Sequence, residues 1–295
     1  MKFIGMNGGI VDSARAVVPV MDHGLLYGMG VFETFRTYQG KPFLLERHLD
    51  RLMDSCRELG IVHKAEPAGM SRWISELMEA NSLQDAYIRY TVTAGEGPVG
   101  LPAGEYVKPS EILLAKELPV MKDDVYEKGR VLRLLSLPRN TPESSIRMKS
   151  LHYMNNILAK RELEGYAVHP SGPAEGLMLT SAGEVAEGIV SNVFFVKEER
   201  LYTPDISTGI LPGITRAVVL ELAAELGIAA EEGHYSWEIL TGADEIFTTG
   251  SVQEIVPVTT LIGPGDQSIL IGQGTAGPVT RALLSAYRRE AGFCV

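Results

Sequence analysis

The sequence contains very little cysteine and no clustered histidine. Only two of its 295 residues are cysteines, Cys56 and Cys294, and they lie far apart in the chain. Two thiols can form neither a disulfide framework nor a four-cysteine zinc site. The six histidines show no H-x-H or H-x-x-x-H spacing, so we predict no metal site. This composition favours a reduced, cytoplasmic protein.

Long apolar runs and an excess of positive charge are also absent. No stretch approaches the ~18 apolar residues that a membrane-spanning helix needs. The N-terminal stretch is interrupted at Asn7, Gly8 and Gly9, which is not expected of a signal peptide. The net charge of −10 disfavours binding to nucleic acid or to anionic membranes. Dinucleotide-binding and P-loop glycine motifs are missing as well. We therefore expect a small-molecule substrate, with no nucleic-acid or membrane partner.

The patterning of the chain predicts an α+β fold in two domains. Hydrophobic residues make up 45% of the sequence, enough for a sizeable core. Apolar periodicity predicts helices over 46–61, 212–227 and 277–292, a hairpin in 30–45 that turns at Gln39-Gly40, strands over 86–95, 110–118, 131–137, 176–180, 188–196 and 200–204, and a strand–turn–strand unit over 244–258. We place a smaller domain at 1–120, a polar linker at 121–130 and a larger domain carrying Lys149 at 131–295.

A lysine stands just before a segment with the pattern of an amphipathic helix. The run SSIRMKSLHYMNN (144–156) places Lys149 behind a serine-rich approach. Most lysines are simply solvated, and taken alone this one fits that interpretation. The alternative is covalent chemistry, because a partly desolvated amine can form a Schiff base with a carbonyl.

Two small-residue segments of the second half could bind a phosphate. Ile214 and Thr215 begin a predicted helix, where backbone N–H groups and the helix dipole attract anions. The segment 249–251 (Thr-Gly-Ser) is a turn with hydroxyls and an accessible backbone. Each alone is more often an ordinary cap or turn. An arginine would complete a phosphate site, and Arg51 is the candidate, although it could equally lie on a solvated face with Arg47.

A carboxylate at the start of a buried strand needs a proton donor. Glu187 precedes the apolar run GIVSNVFFV, and its burial would be costly without such a partner. The protonated ring nitrogen of pyridoxal phosphate is a suitable donor. An amine for covalent attachment, an anion site for the phosphate and a carboxylate for the ring nitrogen together meet the needs of this cofactor.

Several motifs are similar to those of the fold-type IV pyridoxal-phosphate enzymes. They are DHGLLYGMGVFETFR (22–36), RHLDRL (47–52), RMKSL (147–151), AEGIVSNVFF (186–195), TGILPGITR (208–216), TTGSVQEIVPV (248–258) and GPVTRALLSAY (277–287). The resemblance spans essentially the whole chain. It implies an N-terminal α/β sandwich, a C-terminal β-barrel-like domain, pyridoxal 5′-phosphate as cofactor and a homodimer with its sites near the subunit interface.

The resemblance also implies roles for individual residues. Lys149 would be the cofactor-linked catalytic lysine and proton shuttle, and Glu187 the partner of the ring nitrogen. The implied cofactor-binding set is completed by Arg51, Leu211, Ile214, Thr215, Gly250, Ser251 and Val252, of which Leu211 packs on the ring and the others surround the phosphate. Met154 occupies the position at which branched-chain aminotransferases have a tyrosine.

Within this family the run 139–162 most resembles the Bacillus-type 4-amino-4-deoxychorismate lyases. That likeness implies elimination of pyruvate to give 4-aminobenzoate for folate synthesis. The alternative is a D-amino-acid or branched-chain aminotransferase, which shares the cofactor site, and a non-catalytic metabolite-binding relative is a third possibility. Tyr27, Arg36 and Arg89 are candidates for binding substrate carboxylates, although each could be structural or solvent-facing. Loop residues such as 95–102 should set the substrate.

Overall fold

The protein divides into two compact units. The computed structural model describes residues 1–121, 124–170, 172 and 174–292. One unit comprises Met1–Val120 and Met148–His152, and the other comprises Met121–Arg147 and Tyr153–Val295. The first predicted domain also ends at residue 120. Within the predicted linker 121–130, a short helix and the first residue of a strand are present, and Lys122 and Asp123 lie outside the described residues, as does Cys294.

The first unit is a six-stranded antiparallel sheet with two long helices. Its elements are β1 (Phe3–Met6), β2 (Gly9–Asp12), α1 (His23–Tyr27), β3 (Gly30–Tyr38), β4 (Lys41–Pro42), α2 (Leu45–Glu58), α3 (Pro67–Ala80), β5 (Tyr87–Thr93) and β6 (Ser110–Lys116). The strand order is β2-β1-β6-β5-β3-β4. The predicted hairpin is confirmed, because Tyr38 pairs with Lys41 across a turn in which Gln39 and Gly40 both have positive φ. Such a two-residue turn matches the twist of the strands that it joins.

Both long helices of this unit bury an apolar stripe against the sheet. In α2 the buried Leu45, Leu49, Leu52 and Cys56 recur every three or four residues, as the sequence predicts. Helix α3 is not among our predictions, although its signal is present: Pro67 stands at the first turn and Trp73, Ile74 and Leu77 form the buried stripe. These side chains and the inner face of β3, β5 and β6 make one hydrophobic core, which gives the α/β sandwich.

The second unit is built on a curled nine-stranded mixed sheet. Its elements are α4 (Val125–Lys128), β7 (Arg130–Leu134), α5 (Met154–Gly165), β8 (Ala174–Leu179), β9 (Val185–Gly188), β10 (Asn192–Lys197), β11 (Arg200–Pro204), α6 (Ile214–Glu225), β12 (Ala230–Gly233), α7 (Trp237–Thr241), β13 (Glu245–Gly250), β14 (Glu254–Ile262), β15 (Ser268–Leu270) and α8 (Pro278–Glu290). The order is β12-β11-β10-β13-β14-β7-β8-β9, with β15 beside β14. Within the described residues, none of the helices has the length and apolar character that crossing a bilayer demands.

The segment around Glu187 differs from our prediction. The sequence predicts one strand over 188–196, but β9 ends at Gly188 and β10 begins at Asn192. Between them the chain turns back, because the N–H of Gly188 donates to the carbonyl of Ser191 at 2.7 Å. The local apolar pattern does not reveal this turn, since Ile189 and Ser191 are buried within it. Glu187 thereby lies next to the end of a strand.

Candidate active site

The segment that carries Lys149 is hydrogen-bonded to strand β3 of the first unit. The N–H of Phe32 donates to the carbonyl of Lys149 at 2.8 Å, and the N–H of Leu151 donates to that of Gly30 at 3.0 Å. The sequence prediction places Lys149 in the second domain, and the structure corrects this assignment. The physical reason is strand-like pairing of this segment with β3, which is far away in the chain.

Two cationic side chains share the ring of Phe32. The Lys149 Nζ lies 4.8 Å from the ring centroid, and the guanidinium carbon of Arg89 lies 3.6 Å from the same centroid. A cation over an aromatic face is stabilised by the ring quadrupole. Arg89, a predicted substrate ligand, is thus brought close to the predicted catalytic lysine. Both side chains are partly buried, which argues against simple solvation of Lys149.

Arg51 lies in a buried ion cluster on the same unit. Its Nε and Nη2 donate to the two carboxylate oxygens of Glu33 at 2.8 and 2.6 Å, and His48 Nδ1 is 2.6 Å from Glu33 Oε2. Burial alone would raise the pKa of Glu33, but Arg51 and His48 together lower it to about 2. Burial also lowers the pKa of His48. Arg51 is only 15% exposed, so the alternative of a solvated face is wrong. Its phosphate role stays a prediction.

Glu187 is the centre of a buried polar network in the second unit. It is 4% exposed, and the Nε of Arg139 donates to its Oε1 at 2.8 Å. The backbone N–H of Leu211 donates to Oε2 at 3.0 Å, and the side-chain amide of Asn192 lies 3.3 Å from that oxygen. These partners compensate the buried charge. The bond to Leu211 also fixes this predicted ring-packing residue beside the carboxylate.

Arg139 is a site residue that our sequence predictions missed. The sequence analysis mentions Arg139 only as part of the lyase-like run 139–162. No local pattern links it to Glu187, which lies 48 positions later in the chain. Its Nη1 is anchored by the side-chain oxygens of Asn155 and Asn156 at 2.8 and 3.2 Å. A second arginine, Arg147, has its Nε 4.0 Å from Glu187 Oε1. Burial and the neighbouring Arg139 lower the pKa of Arg147 to about 10.

The carboxylate of Glu187 retains capacity for a further donor. Each carboxylate oxygen can accept about two hydrogen bonds. Oε2 accepts from Leu211 and Asn192, whereas Oε1 has one hydrogen-bond donor, Arg139, among the described residues. A protonated ring nitrogen is a donor of the right kind for the remaining position. The donor set around Glu187 therefore fits pyridoxal phosphate.

The predicted phosphate-binding residues of the second unit meet in space. Ile214 and Thr215 are the first two residues of α6, whose N-cap, Gly213, makes no side-chain capping bond. The hydroxyl of Thr215 lies 3.4 Å from that of Ser251, directly after β13. Uncapped N–H groups of a first helical turn beside two hydroxyls suit an anion. Gly250 and Val252 flank Ser251 and are partly buried.

The end of β13, just before this turn, also contains an unsatisfied polar atom. Thr249 is 2% exposed, and its hydroxyl has no hydrogen-bond partner among the described residues. Buried hydroxyls rarely lack a hydrogen-bond partner. At Gly250 an added Cβ would meet only the carbonyl of Val190, at 3.7 Å, so the backbone there is accessible. Both features fit a phosphate that has several acceptor oxygens.

The two remaining residues predicted to bind substrate, Arg36 and Tyr27, make different contacts. Arg36, on β3, has its guanidinium carbon 4.3 Å from the ring centroid of Tyr38. The hydroxyl of Tyr27 accepts a hydrogen bond from the N–H of Gly100 at 2.8 Å. Gly100 belongs to the loop that the sequence analysis expects to set the substrate. Their contact with a substrate stays a prediction, as does that of Arg89.

Comparison with known proteins gives the family. The sequence model of the class IV amino-transferases matches residues 30–261. The chain belongs to this family. Aminodeoxychorismate lyase of Bacillus subtilis (strain 168) is 39% identical over 97% of this chain and 94% of that protein. D-alanine aminotransferase of Bacillus licheniformis is 31% identical over 96% of this chain and 95% of that protein.

Solved structures of class IV enzymes have the same fold. The 4-amino-4-deoxychorismate lyase of Pseudomonas aeruginosa superposes with a TM-score of 0.83 at 30% identity, covering 98% of this chain and all (100%) of that one. The branched-chain aminotransferase of the archaeon Thermoproteus uzoniensis, solved with norvaline, also superposes with a TM-score of 0.83. The identity is 30%, and the match covers 98% of this chain and 95% of that one. The predicted two-domain fold-type IV architecture is confirmed.

The family also settles the cofactor class. Class IV enzymes use pyridoxal phosphate, and one similar branched-chain aminotransferase was solved with pyridoxamine 5′-phosphate, so the predicted cofactor is confirmed at the level of the family. The chain is thus a pyridoxal-phosphate-dependent enzyme whose relatives include a lyase and aminotransferases. Among the residues that the structure describes, no group of three or more histidine, cysteine, aspartate or glutamate side chains could hold a metal ion.

Proposed function

We propose that this class IV enzyme is an aminodeoxychorismate lyase, which eliminates pyruvate from 4-amino-4-deoxychorismate to give 4-aminobenzoate for folate synthesis. The observation that carries the proposal is the pair of cations on Phe32. The substrate bears two carboxylates, and Arg89 supplies a guanidinium close to the amine of Lys149. Guanidinium binds carboxylate through two parallel hydrogen bonds. The likeness to the lyase of Bacillus subtilis points in the same direction.

The residues of the chain then have distinct tasks. Pyridoxal phosphate supplies an electron sink for the negative charge that develops on the substrate. Lys149 would hold the cofactor covalently in the resting enzyme and, once the substrate amine has replaced it, the freed amine would accept the proton from the amine-bearing carbon of the substrate. Glu187 keeps the ring nitrogen protonated, and Arg139 compensates the charge of Glu187. Formation of the aromatic product favours release of pyruvate, so positioning and deprotonation are the main requirements.

The phosphate site is the third part of the proposal. Ile214 and Thr215 would bind the phosphate through the N-terminus of α6, and Ser251 through its hydroxyl. Arg51 would add a positive charge, and Leu211 would pack against the ring. These contacts hold the cofactor without taking part in proton transfer.

An aminotransferase is the second candidate, favoured by the likeness to D-alanine aminotransferase. Such an enzyme would use the same Lys149 and Glu187. Against the branched-chain variant stands Met154, which is 73% exposed at the start of α5 where those enzymes have a tyrosine. The presence of both Lys149 and Glu187 argues against a non-catalytic relative.

One assay separates the two reactions. We expect the purified protein to release 4-aminobenzoate and pyruvate from aminodeoxychorismate with no keto-acid acceptor, because elimination needs no second substrate. An aminotransferase would stop after one turnover without an acceptor. Lys149→Ala is the matched control and should release neither product. Sustained conversion of D-alanine or L-leucine with 2-oxoglutarate, and none of aminodeoxychorismate, would contradict the lyase assignment.

We also propose that the enzyme is a cytoplasmic homodimer. The first unit exposes apolar side chains close together in sequence, among them Val20 (74%) and Leu25 (64%). Exposed apolar side chains that form one patch often mark a protein–protein contact. Light scattering should give twice the chain mass, and Val20→Glu with Leu25→Glu should reduce it. Val168→Glu, at an 87% exposed position of the second unit, is the control and should leave the mass unchanged.

A further inference from the structure

A cavity of about 500 Å³ lies in the first unit beside the segment that carries Lys149. Its lining is mostly apolar and comprises Tyr27, Met29, Leu59, residues 101–104 and Tyr106. The backbone carbonyl of Tyr27 is 3.0 Å from His152 Nε2, three residues after the lysine. The only polar side-chain groups that line the described cavity are the two phenol hydroxyls.

His23 lies between these two tyrosines and is completely buried. Its ring centroid is 4.8 Å from that of Tyr27 and 5.4 Å from that of Tyr106, both in edge-to-face geometry. Its Nδ1 is 2.9 Å from the hydroxyl of Tyr106, and its Nε2 is 3.0 Å from the carbonyl of Pro98. One imidazole therefore contacts both ends of loop 98–106.

The partners of the imidazole determine its tautomer. A carbonyl can only accept, so the hydrogen bond to Pro98 requires a proton on Nε2. In a neutral imidazole Nδ1 is then an acceptor, and Tyr106 must donate its hydroxyl proton to it. Burial, and then the nearby Tyr27, raise the pKa of Tyr106, which keeps that proton in place.

The middle of the loop is fixed by the second tyrosine. The N–H of Gly100 donates to the hydroxyl of Tyr27 at 2.8 Å, so this hydroxyl acts as an acceptor here and does not use its own proton in the contact. Residues 98–105 are exposed to solvent, and Leu101 is 92% exposed although it lines the cavity. The backbone of Tyr106 pairs with Gly60 and Val62, which anchors this end of the loop. The hydrogen bonds of His23 to Tyr106 and Pro98 are the side-chain restraint that joins the other end of the loop to this anchored end.

We propose that His23 is a positioning residue that holds loop 98–106 over the cavity, so that the Tyr27 hydroxyl, which Gly100 of this loop fixes, can donate its proton to a cyclic carboxylate substrate. This inference rests on the proposed function only for the identity of that substrate. His23 makes no contact with the reacting atoms in the proposal. Its loss should therefore weaken substrate binding and leave the chemical step nearly unchanged.

A double-mutant cycle tests the proposal. In His23→Gln the amide nitrogen can still donate to Pro98, but the acceptor for Tyr106 is lost. Tyr106→Phe removes the same hydrogen bond from the other side. We expect each variant to raise KM for aminodeoxychorismate about tenfold with kcat within about twofold, and the double variant to be no worse than either. Tyr166→Phe, which removes a phenol hydroxyl in the second unit, is the control.

Hydrogen exchange of the substrate-free holoenzyme keeps this test independent of the reaction. Amides of 98–106 should exchange faster in His23→Gln and in Tyr106→Phe, whereas those of α2 should not change. His23→Asn, whose amide oxygen can accept from Tyr106, should restore part of the protection. Unchanged loop exchange in folded His23→Gln, or additive effects in the double variant, would overturn the proposal. An absence of lyase activity with altered loop exchange would instead contradict the proposed function alone.

Discussion

The two units differ in whether the buried polar groups at their candidate sites have hydrogen-bond partners within the protein. In the first unit the cluster of Glu33, His48 and Arg51 is closed, because a two-pronged guanidinium and an imidazole satisfy the carboxylate. In the second unit the turn at Thr249 and Ser251 is open, with one buried hydroxyl that has no partner among the described residues. In a satisfied cluster each buried polar group already has a partner within the protein. A buried hydroxyl without a partner, beside the N-terminus of a helix that has no side-chain cap, indicates a ligand.

The same comparison shows what the sequence could and could not predict. The motifs predict Lys149, Glu187 and the segment 249–251 as site residues, because residue types and their spacing along short segments carry that information, and their roles stay predictions. Helix α2 and the β3–β4 hairpin followed from local periodicity and turn chemistry. Arg139 and the true position of Lys149 did not follow, since both depend on pairing between distant segments.

The largest expected effect is that of Lys149→Ala. We expect borohydride to fix the cofactor to Lys149 in the native enzyme, and the variant to lose both this fixation and all detectable turnover. The reason is that the proposal assigns both the covalent attachment and the proton transfer to this one amine. Mass spectrometry of the labelled peptide provides the measurement. A label on another lysine would show that Lys149 has been wrongly assigned.

Breaking the closed cluster should reduce stability. Replacing Glu33 with Gln leaves Arg51 without its buried counter-ion, which costs about 3–5 kcal/mol in comparable buried pairs. The pKa of Glu33 lies at about 2 in the folded protein, against 4.5 for an ordinary glutamate, so its contribution is complete above about pH 4.5. It amounts to about 3 kcal/mol and is lost as the pH falls from about 4.5 through about 2.

Urea unfolding as a function of pH measures this contribution. The native enzyme should lose stability steeply below about pH 4.5, whereas Glu33→Gln should show a shallower decline from a lower starting value. Glu127→Gln is a matched control, because that carboxylate pairs with Arg281 at the surface, where ion pairs contribute little. Equal slopes for the native enzyme and Glu33→Gln would show that the closed cluster does not stabilise the fold.

Glu187→Gln should affect the reaction more than the binding of the cofactor. The amide cannot stabilise a protonated ring nitrogen as the carboxylate does, so the charge that develops on the substrate is less well delocalised. We expect turnover to fall on the order of 10²-fold or more, with the cofactor still bound. Cofactor content and initial rates are measured on the same preparation. Near-normal turnover at full occupancy would remove Glu187 from the mechanism.

Arg51→Ala tests whether Arg51, besides pairing with Glu33 in the closed cluster, also helps to bind the phosphate of the cofactor. If Arg51 contributes to binding, dialysis should remove the cofactor from the variant more readily, by about tenfold in affinity, and added pyridoxal phosphate should restore much of the activity. Arg57→Ala, on the same helix but at the surface, is the control. Full occupancy after extensive dialysis would mean that Arg51 only neutralises Glu33, and the contrast between the two units would become sharper.

The smallest effect is expected from Thr249→Val, which preserves the shape of the side chain and removes only its hydroxyl. In the cofactor-free protein that hydroxyl is buried without a partner among the described residues, so its loss should leave stability unchanged or raise it by about 1 kcal/mol. In the holoenzyme the same hydroxyl would donate to the phosphate, so the affinity for the cofactor should fall a few-fold. Thermal unfolding with and without pyridoxal phosphate measures both changes.

A ligand-binding hydroxyl differs from a structural one in two effects: its removal does not lower the stability of the cofactor-free protein, but it does lower the affinity for the cofactor. Thr203, a buried threonine on β11, provides the comparison, because its hydroxyl donates to the carbonyl of Val193 at 2.9 Å. Thr203→Val should therefore destabilise the protein equally with and without the cofactor. If Thr249→Val behaved in that same way, the hydroxyl would have a partner within the protein, and the turn after β13 would be as closed as the cluster around Glu33.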